Sequence, residues 1–277
     1  MKNTINKYFV IGLLSVGIVA CDPGDFGDTN VNPNATTTPI AAALLTNAIN
    51  SIDGTVNATT GQHYVQYLAN SQYTDDDTYQ TVQFSYNGLY SGPMNDLAKI
   101  IELNTDDATK GPVTQYGSNA NQIAVANILL SYYYLHVTDR WGDVAFSESL
   151  RVTDNILQPV FDTQESIYNS VFTMLDNAEA SIEDTNPVVG DIMFDGDMQR
   201  WREFANTIRL TAALRLSEVD PTKGAAEFSA ALNDGVIALD NDANIQYTHL
   251  AEEVYDNPWQ DRFQTRLDYT VAEPLVD

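Results

Sequence analysis

The chain has 277 residues, of which 44% are hydrophobic, a content that suits a packed core and argues against a disordered chain. It carries 38 acidic and 13 basic side chains, which gives a net charge of −25 at pH 7. So acidic a surface argues against nucleic acid and anionic membrane surfaces as partners, because both are bound through basic patches.

The first twenty residues have the pattern of an export signal. Two lysines precede an apolar stretch at positions 8–20, which is too short to span a membrane comfortably. The stretch ends in Ile18-Val19-Ala20-Cys21, which resembles a bacterial lipobox, and Cys21 is the only cysteine in the chain. We therefore predict that residues 1–20 are a lipoprotein signal peptide and that Cys21 carries lipid. The alternative is a plain secretory signal followed by a chance cysteine.

The segment after the signal is polar and rich in turn-forming residues. Residues 21–37 are predicted to be a flexible tether between the lipid and a folded domain that spans residues 38–277. More than one acyl chain on Cys21 would give stable anchoring in a membrane. Asp22 leaves the choice of membrane open, because in some bacteria an aspartate at this position retains lipoproteins in the inner membrane.

Apolar residues from position 41 onward recur with the spacing of amphipathic helices. The predicted helices are, in chain order, 41–52, 63–70, 89–103, 119–137, 163–182, 201–216 and 222–233. Strand signals are weak, and residues 244–249 are the best candidate. Residues 268–277 contain neither a terminal helix nor a polar tail, so we expect the chain to be the N-terminal part of a longer domain. The predicted fold class is mainly all-α, a superhelix of antiparallel helix pairs, although no strict repeat period is visible.

The sequence contains no motif that predicts catalysis or metal binding. Its histidines, His63, His136 and His249, lack metal-ligand spacing, and phosphate-loop, nucleophile-elbow and zinc-protease motifs are missing. His136 and Asp139 could form an acid–base pair, although a capping role at a helix end is favoured. The acidic turn at 74–78 could hold calcium, although a solvated turn is favoured. We therefore predict a protein that is not an enzyme and has no cofactor and no metal.

Several segments, in order along the mature chain, follow one family pattern. They are DTNVNPN at 28–34, YNGLYSGPMNDL at 86–97, LHVTDRWGDVAFSESL at 135–150, FDTQESIY at 161–168, GDIMFDGDM at 190–198 and the spaced Trp, Phe-Ala-Asn and Arg positions of 201–217. Together they resemble the SusD/RagB lipoproteins, especially their SusD-like subgroup. Ala145 stands where the family usually has proline and Ser149 where it usually has alanine, and neither change involves a charged group.

The resemblance implies a fold, a partner and a location. The fold is a superhelix of tetratricopeptide-like helix pairs under an irregular, loop-rich face. The role is that of a lid over a SusC-like TonB-dependent transporter at the outer membrane, where the protein binds oligosaccharides or other nutrients outside the cell. A nutrient-binding lipoprotein needs aromatic platforms on loops, where the C–H faces of sugar rings can stack.

Two loop segments supply candidate platforms for a sugar ligand. Tyr73, Tyr79 and Gln80 flank the acidic turn, and Trp259 lies in a late loop between Asn257 and Gln260. Packing in the core or on the surface is the alternative for each of these residues. Two other classes of function stay open: a lipid-anchored glycan-degrading enzyme and a purely structural assembly lipoprotein.

Overall fold

The computed structural model describes residues 39–80, 84–151, 156–237, 245–246, 248–252 and 256–276. The predicted signal peptide, Cys21 and the predicted tether lie outside these ranges. From Ile40 onward the chain forms one compact unit, which is mainly helical and contains two short antiparallel sheets in its described part. The prediction of a mainly all-α fold is therefore confirmed. No helix within the described ranges has both the length and the apolar character that a membrane span requires.

The helices and strands are numbered here in chain order. The helices are α1 (Ala41–Asn50), α2 (Ile52–Val56), α3 (Thr60–Tyr64), α4 (Asn87–Leu89), α5 (Asn95–Thr105), α6 (Asn119–Trp141), α7 (Gln164–Ser181), α8 (Met198–Arg215), α9 (Pro221–Asp234), α10 (Pro258–Gln264) and α11 (Glu273–Val276). The strands are β1 (Leu68–Asn70), β2 (Val144–Ala145), β3 (Phe161–Asp162) and β4 (Tyr269–Val271). A wide turn at Tyr90–Met94, with Gly92 outside helical geometry, joins α4 to α5 and interrupts the helix predicted at 89–103.

The four long helices begin where a polar side chain can accept a hydrogen bond from the first turn. Ser118 caps α6, Thr163 caps α7, Asp197 caps α8 and Asp220 caps α9. Each of these caps satisfies a backbone N–H group that has no partner inside its helix, which stabilises the helix by about 1 kcal/mol. The capping pattern at 162–165 therefore marks the start of α7 correctly.

Helices α6 to α9 form an antiparallel stack. The start of α7 meets the end of α6, where the Tyr168 hydroxyl donates to Asp139 Oδ1 at 2.5 Å. The start of α6 meets the end of α7, where Asn121 Nδ2 donates to the carbonyl of Glu183 at 3.1 Å. Helix α8 reverses direction again, and its Asn206 donates to Glu179 of α7 at 2.9 Å. This succession of antiparallel helix pairs is the predicted superhelical arrangement.

Helix α6 lies at the centre of the hydrophobic core and contacts α1, α5, α7 and α8. Its residues Ile128, Tyr133 and Val137 are fully buried. The Tyr133 hydroxyl donates to the carbonyl of Ala48 at 2.7 Å, which ties α6 to α1. Because α6 is buried on several faces, its apolar residues do not form a single narrow stripe.

The helix predicted at 63–70 is wrong from Val65 onward. Helix α3 ends at Tyr64, Gln66 has a positive φ of 60°, and Leu68–Asn70 forms strand β1. Strand β1 pairs with β4 in the register Leu68↔Val271 to Asn70↔Tyr269. The partner strand lies about 200 residues away in sequence, and a local apolar pattern cannot reveal such a pairing.

The late part of the chain also differs from the sequence prediction. Helix α10 and strand β4 were not predicted, and α11 lies in the segment that we expected to lack a terminal helix. Of the strand predicted at 244–249, residues 244 and 247 lie outside the described ranges, and the residues described there form no strand. These short elements are held by contacts with residues 57–73 rather than by their own pattern.

Candidate functional site

The β1–β4 pairing brings together two loop segments that are far apart in sequence. Aromatic side chains from both segments form what we call the aromatic surface. Its members are Tyr64, Tyr73, Tyr79, Phe84, Trp259, Phe263 and Tyr269. Both segments that supplied the predicted platforms therefore lie in one region of the molecule.

Ring contacts join six of the seven members of the aromatic surface, all except Tyr73, into two groups. Both groups contact helix α3, the first through Tyr64 and the second through His63, whose ring lies 5.7 Å from that of Tyr269. In the first group, the ring centre of Tyr64 lies 5.5 Å from that of Tyr79 and 6.3 Å from that of Phe84. In the second group, the rings of Trp259 and Phe263 each lie 6.3 Å from the ring of Tyr269. Their tilted and edge-to-face geometry is the one that aromatic pairs prefer.

Several of these rings are open to solvent. Tyr73 is 58% exposed, Tyr79 is 54% exposed, Phe84 is 48% exposed and Phe263 is 41% exposed. A single exposed aromatic side chain is unremarkable, but a group of them marks a surface that contacts a ligand or a partner. The aromatic surface is therefore the strongest candidate for a binding site among the described residues.

A buried polar framework holds the turn that carries Tyr73. His63 is buried, and its Nδ1 lies 2.7 Å from Asp77 Oδ1. The other oxygen of Asp77 accepts a hydrogen bond from the backbone N–H of Asn70 at 2.7 Å. Asn70 Oδ1 in turn accepts from the N–H of Tyr73 at 2.8 Å. The Asp77 carboxylate therefore stabilises the fold of the acidic turn, whereas Asp75 is exposed to solvent.

Tyr79 and Gln80 have mainly local partners. The Tyr79 hydroxyl accepts from Gln66 Nε2 at 3.1 Å and lies 3.3 Å from the carbonyl oxygen of Tyr64, to which it donates. The Gln80 side chain donates to Thr78 Oγ1 at 3.2 Å. The exposed ring of Tyr79 is thus fixed in place by the bonds of its own hydroxyl.

The late-loop candidates have different surroundings. Asn257 Oδ1 accepts from the N–H of Trp259 at 2.9 Å and so caps helix α10. The indole N–H of Trp259 donates to Asn57 Oδ1 at 3.0 Å, and the Arg262 guanidinium lies 4.9 Å from the ring centre. Gln260 is exposed. Asn257 therefore stabilises the start of helix α10. Because Arg262 covers one face of the Trp259 ring, a ligand would have to approach the part of the ring that Arg262 leaves uncovered.

Sequence reasoning missed the residues that connect the two segments. Arg266 lies 4.7 Å above the ring of Tyr73, and Tyr269 lies 5.7 Å from His63. Phe84 and Phe263 were missed as exposed rings. The frequency of aromatic residues in both segments is a local signal that could have named Phe84 and Phe263, whereas the Arg266 contact depends on the distant β1–β4 pairing.

His136 and Asp139 do not form an acid–base pair. Asp139 is bound by the Tyr168 hydroxyl and by Arg215, whose Nη1 lies 2.6 Å from Asp139 Oδ2. His136 instead stacks on Tyr132, with ring centres 6.5 Å apart. Burial, with smaller effects of nearby arginines, lowers the pKa of His136 to about 4, so the ring is neutral at pH 7. The hydroxyl of Thr138, not His136, donates to the carbonyl of Gly142 at the helix end.

Other concave regions lie on the helical stack. A cleft of about 670 Å³ is lined by polar residues that include Asp139, Tyr168, Arg215 and Lys223. Neither this cleft nor the smaller one beside Arg209 contains any of the predicted ligand residues. Within the described ranges, no group of three or more His, Cys, Asp or Glu side chains is arranged to hold a metal ion.

Comparison with known families decides which family this architecture represents. A SusD-like family, described as "Starch-binding associating with outer membrane", matches residues 33–277. The chain belongs to this SusD-like family. The resemblance drawn from the sequence motifs is therefore confirmed, and the family description agrees with a nutrient-binding role associated with the outer membrane.

Solved structures support the SusD-like fold. A chitin-binding protein is 24% identical with a TM-score of 0.68, and the match covers 86% of this chain and 51% of that protein. An outer-membrane protein of Bacteroides vulgatus, described as probably involved in nutrient binding, is 20% identical with a TM-score of 0.70, covering 86% and 50%. A SusD/RagB family protein of Bacteroides thetaiotaomicron is 18% identical with a TM-score of 0.70, covering 85% and 50%.

The chain spans about half the length of these structures. Comparison with curated proteins gives no match. The structural likeness therefore confirms the fold, while the ligand and the partner of this chain have to be argued from its own residues.

Proposed function

We propose that this chain is a lipid-anchored, nutrient-binding protein of the outer membrane that binds an oligosaccharide on the aromatic surface. In this proposal it delivers the ligand to a SusC-like TonB-dependent transporter and does no chemistry on it. The observation that carries the proposal is the group of exposed rings, with Tyr73 and Tyr79 the most exposed among them. Membership of the SusD-like family supports the same role.

The geometry of the aromatic surface suits sugar rings. A sugar presents a flat array of C–H groups that stacks on an aromatic face, and its hydroxyls need hydrogen-bonding partners at the edge of that face. Tyr73 and Tyr79 flank a turn whose Asp75 is exposed and whose Gln80 carries an amide. Trp259, with Gln260 exposed beside it, supplies a further ring, which contacts Tyr269 of strand β4.

Replacing Tyr73 and Tyr79 together by alanine should weaken oligosaccharide binding. Each stacked ring contributes about 1 kcal/mol beyond simple contact, so the double variant should lose roughly tenfold or more in affinity. Isothermal titration calorimetry with starch- and chitin-derived oligosaccharides measures this loss. Phe161→Ala is the matched control, because Phe161 is 65% exposed but lies at strand β3, which pairs with β2 and not with the β1–β4 sheet.

Three outcomes would contradict the proposal. Equal affinities for the double variant and the unchanged protein would move the ligand site away from the aromatic surface. Release of shorter products, detected by chromatography after incubation with oligosaccharides, would instead favour a glycan-degrading enzyme. Absence of any ligand would favour a structural assembly lipoprotein.

The membrane anchor is assigned to Cys21. Replacing Cys21 with serine removes the thiol to which acyl chains would be attached, so the variant should leave the membrane fraction and become soluble. Fractionation of cells that express either form, followed by immunoblotting, measures the change. A Cys21→Ser variant that still fractionates with the outer membrane would contradict lipid anchoring at this residue.

Membership of the SusD-like family supports a TonB-dependent transporter as the partner, and confinement in the membrane plane would favour that complex. An anchor raises the effective concentration of two membrane-bound proteins, so even a modest interface suffices for a complex. The helical stack is the surface that we assign to this contact, because the aromatic surface has to face the ligand. The same membrane preparation provides the test, since the lipidated protein purified in mild detergent should bring a TonB-dependent transporter with it.

A further inference from the structure

The chain around the aromatic surface is poor in basic residues. Residues 8–98 contain no lysine or arginine, and residues 224–277 contain only Arg262 and Arg266. The same two stretches supply every ring of the aromatic surface. These stretches therefore offer few cations to a negatively charged ligand.

Both arginines are already engaged by the protein. Arg266 forms an ion pair with Asp268 at 2.7 Å and covers one face of the Tyr73 ring. Arg262 Nη2 donates to the carbonyl of Asn57 at 3.0 Å, and the guanidinium covers the ring of Trp259. Arg262 Nη1 has no hydrogen-bond partner among the described residues, but it is buried away from solvent and so from an approaching ligand. To bind an anionic group, either side chain would have to share or give up these partners.

Unlike the two arginines, the side-chain carboxylates of Asp75 and Asp76 on the acidic turn are not engaged by other described residues. The backbone carbonyls of Asp75 and Asp76 accept from Gln80 and Tyr79 at 3.0 and 3.3 Å, which closes the turn. Within the described ranges, however, no hydrogen bond or ion pair engages their side-chain carboxylates, in contrast to that of Asp77. The turn lies between Tyr73 and Tyr79 in the sequence. It therefore offers two negatively charged hydrogen-bond acceptors, the exposed Asp75 and the half-buried Asp76, close in sequence to the exposed tyrosines.

We propose that the aromatic surface selects oligosaccharides that are uncharged or carry amino groups, and excludes glycans that carry uronate or sulfate groups. This inference rests on the proposed function, because it names the ligand class of the same site. Ionised carboxylates only accept hydrogen bonds, and sugar hydroxyls and ammonium groups are donors. An anionic glycan is instead repelled by Asp75 and Asp76, while Arg262 and Arg266 are held by their partners within the protein.

The test compares hexasaccharides of three charge classes on the full chain. The probes are a neutral N-acetylated chitin oligomer, its de-N-acetylated counterpart at a mildly acidic pH that protonates the amines, and an oligogalacturonide. Calorimetry at low and at high ionic strength measures each affinity. We expect the neutral and amino oligomers to bind, the galacturonide to bind at least tenfold more weakly than the neutral one, and added salt to weaken only the amino oligomer.

A charge variant identifies which residues cause the selection. Asp75→Asn with Asp76→Asn should weaken the amino oligomer by on the order of tenfold at low ionic strength, since one charge pair at contact distance in water gives about fivefold. The same variant should strengthen the galacturonide and change the neutral oligomer much less. Asp107→Asn with Glu218→Gln is the matched control, because it removes two exposed carboxylates elsewhere and alters the net charge equally.

The possible outcomes distinguish a failure of the inferred charge selection from a failure of the proposed sugar-binding function. If the galacturonide binds as tightly as the neutral oligomer, the inferred charge selection is wrong and the sugar-binding function stands. If the control variant shifts the affinities as much as the Asp75 and Asp76 variant, the effect comes from total charge and the role of the turn is wrong. If no oligosaccharide of any class binds, both the proposed function and this inference are overturned.

Discussion

Replacing Gly190 with alanine is expected to destabilise the fold severely. Gly190 has a positive φ of 86°, and a Cβ atom there would lie 2.2 Å from the carbonyl oxygen of Ala42 and 2.9 Å from its Cα. These are backbone atoms of helix α1, so no side-chain rotation can relieve the overlap. The positive-φ backbone costs about 1–3 kcal/mol and the displacement of a packed helix costs about 1–3 kcal/mol more. Urea unfolding followed by circular dichroism should show a loss of about 2–6 kcal/mol in the free energy of unfolding.

Gly142→Ala separates the two contributions to that loss. Gly142 also has a positive φ, of 75°, but a Cβ atom there would have no heavy atom within 4 Å. Its substitution should therefore cost only the backbone strain, about 1–3 kcal/mol. Equal losses for the two variants would show that the close approach of Gly190 to α1 contributes nothing to stability.

The sequence predicts the helical stack well because the signals for its helices are local. Helices α6, α7, α8 and α9 combine an apolar period with a capping side chain or a proline at the start. Both signals act within a few residues, so a single sequence contains them in full. The order of the helices along the chain then favours antiparallel neighbours, as observed.

The loop-rich part could not be predicted in the same way. Strand β1 has only three residues, and its pairing with β4 is set by tertiary contacts rather than by its composition. The carboxylate of Asp77 contacts the ring of His63 across a turn, and no periodic pattern in the sequence predicts this contact. Such contacts require the coordinates of segments that the sequence leaves far apart.

The candidate site contains features that the sequence predicts and features that it does not. Tyr73 and Trp259 are recognisable in the sequence as aromatic residues on polar loops, and the structure places both loops beside the β1–β4 pair. What each ring can do depends on its covered face, which Arg266 and Arg262 occupy. These cation–π contacts leave the ligand roles of Tyr73 and Trp259 as predictions, and they restrict how a sugar could approach.

Trp201→Ala should be comparably destabilising, for a different reason. Trp201 is fully buried in helix α8, with its ring 5.0 Å from Phe194, and its indole N–H donates to Asp191 Oδ2 at 2.8 Å. Truncation to alanine removes a large apolar side chain and leaves a cavity, which costs about 3–5 kcal/mol. A loss of that size is a large fraction of the total stability of an ordinary domain. Chemical denaturation of the purified variant measures the free energy of unfolding.

The hydrogen bond to Asp191 distinguishes Trp201 from an ordinary core residue. Asp191 also accepts from the backbone N–H groups of Met193, Phe194 and Gly196, and so it fixes the segment that begins at Gly190. Trp201→Phe keeps an aromatic ring but removes the indole N–H, so it should cost about 1–3 kcal/mol, less than alanine does. Trp201 therefore connects α8 to the segment that begins at Gly190, and Gly190 itself packs closely against α1. Phenylalanine and alanine variants of equal stability would show that the ring volume contributes nothing, because both lack the indole N–H. A phenylalanine variant as stable as the unchanged protein would show that the hydrogen bond to Asp191 contributes nothing.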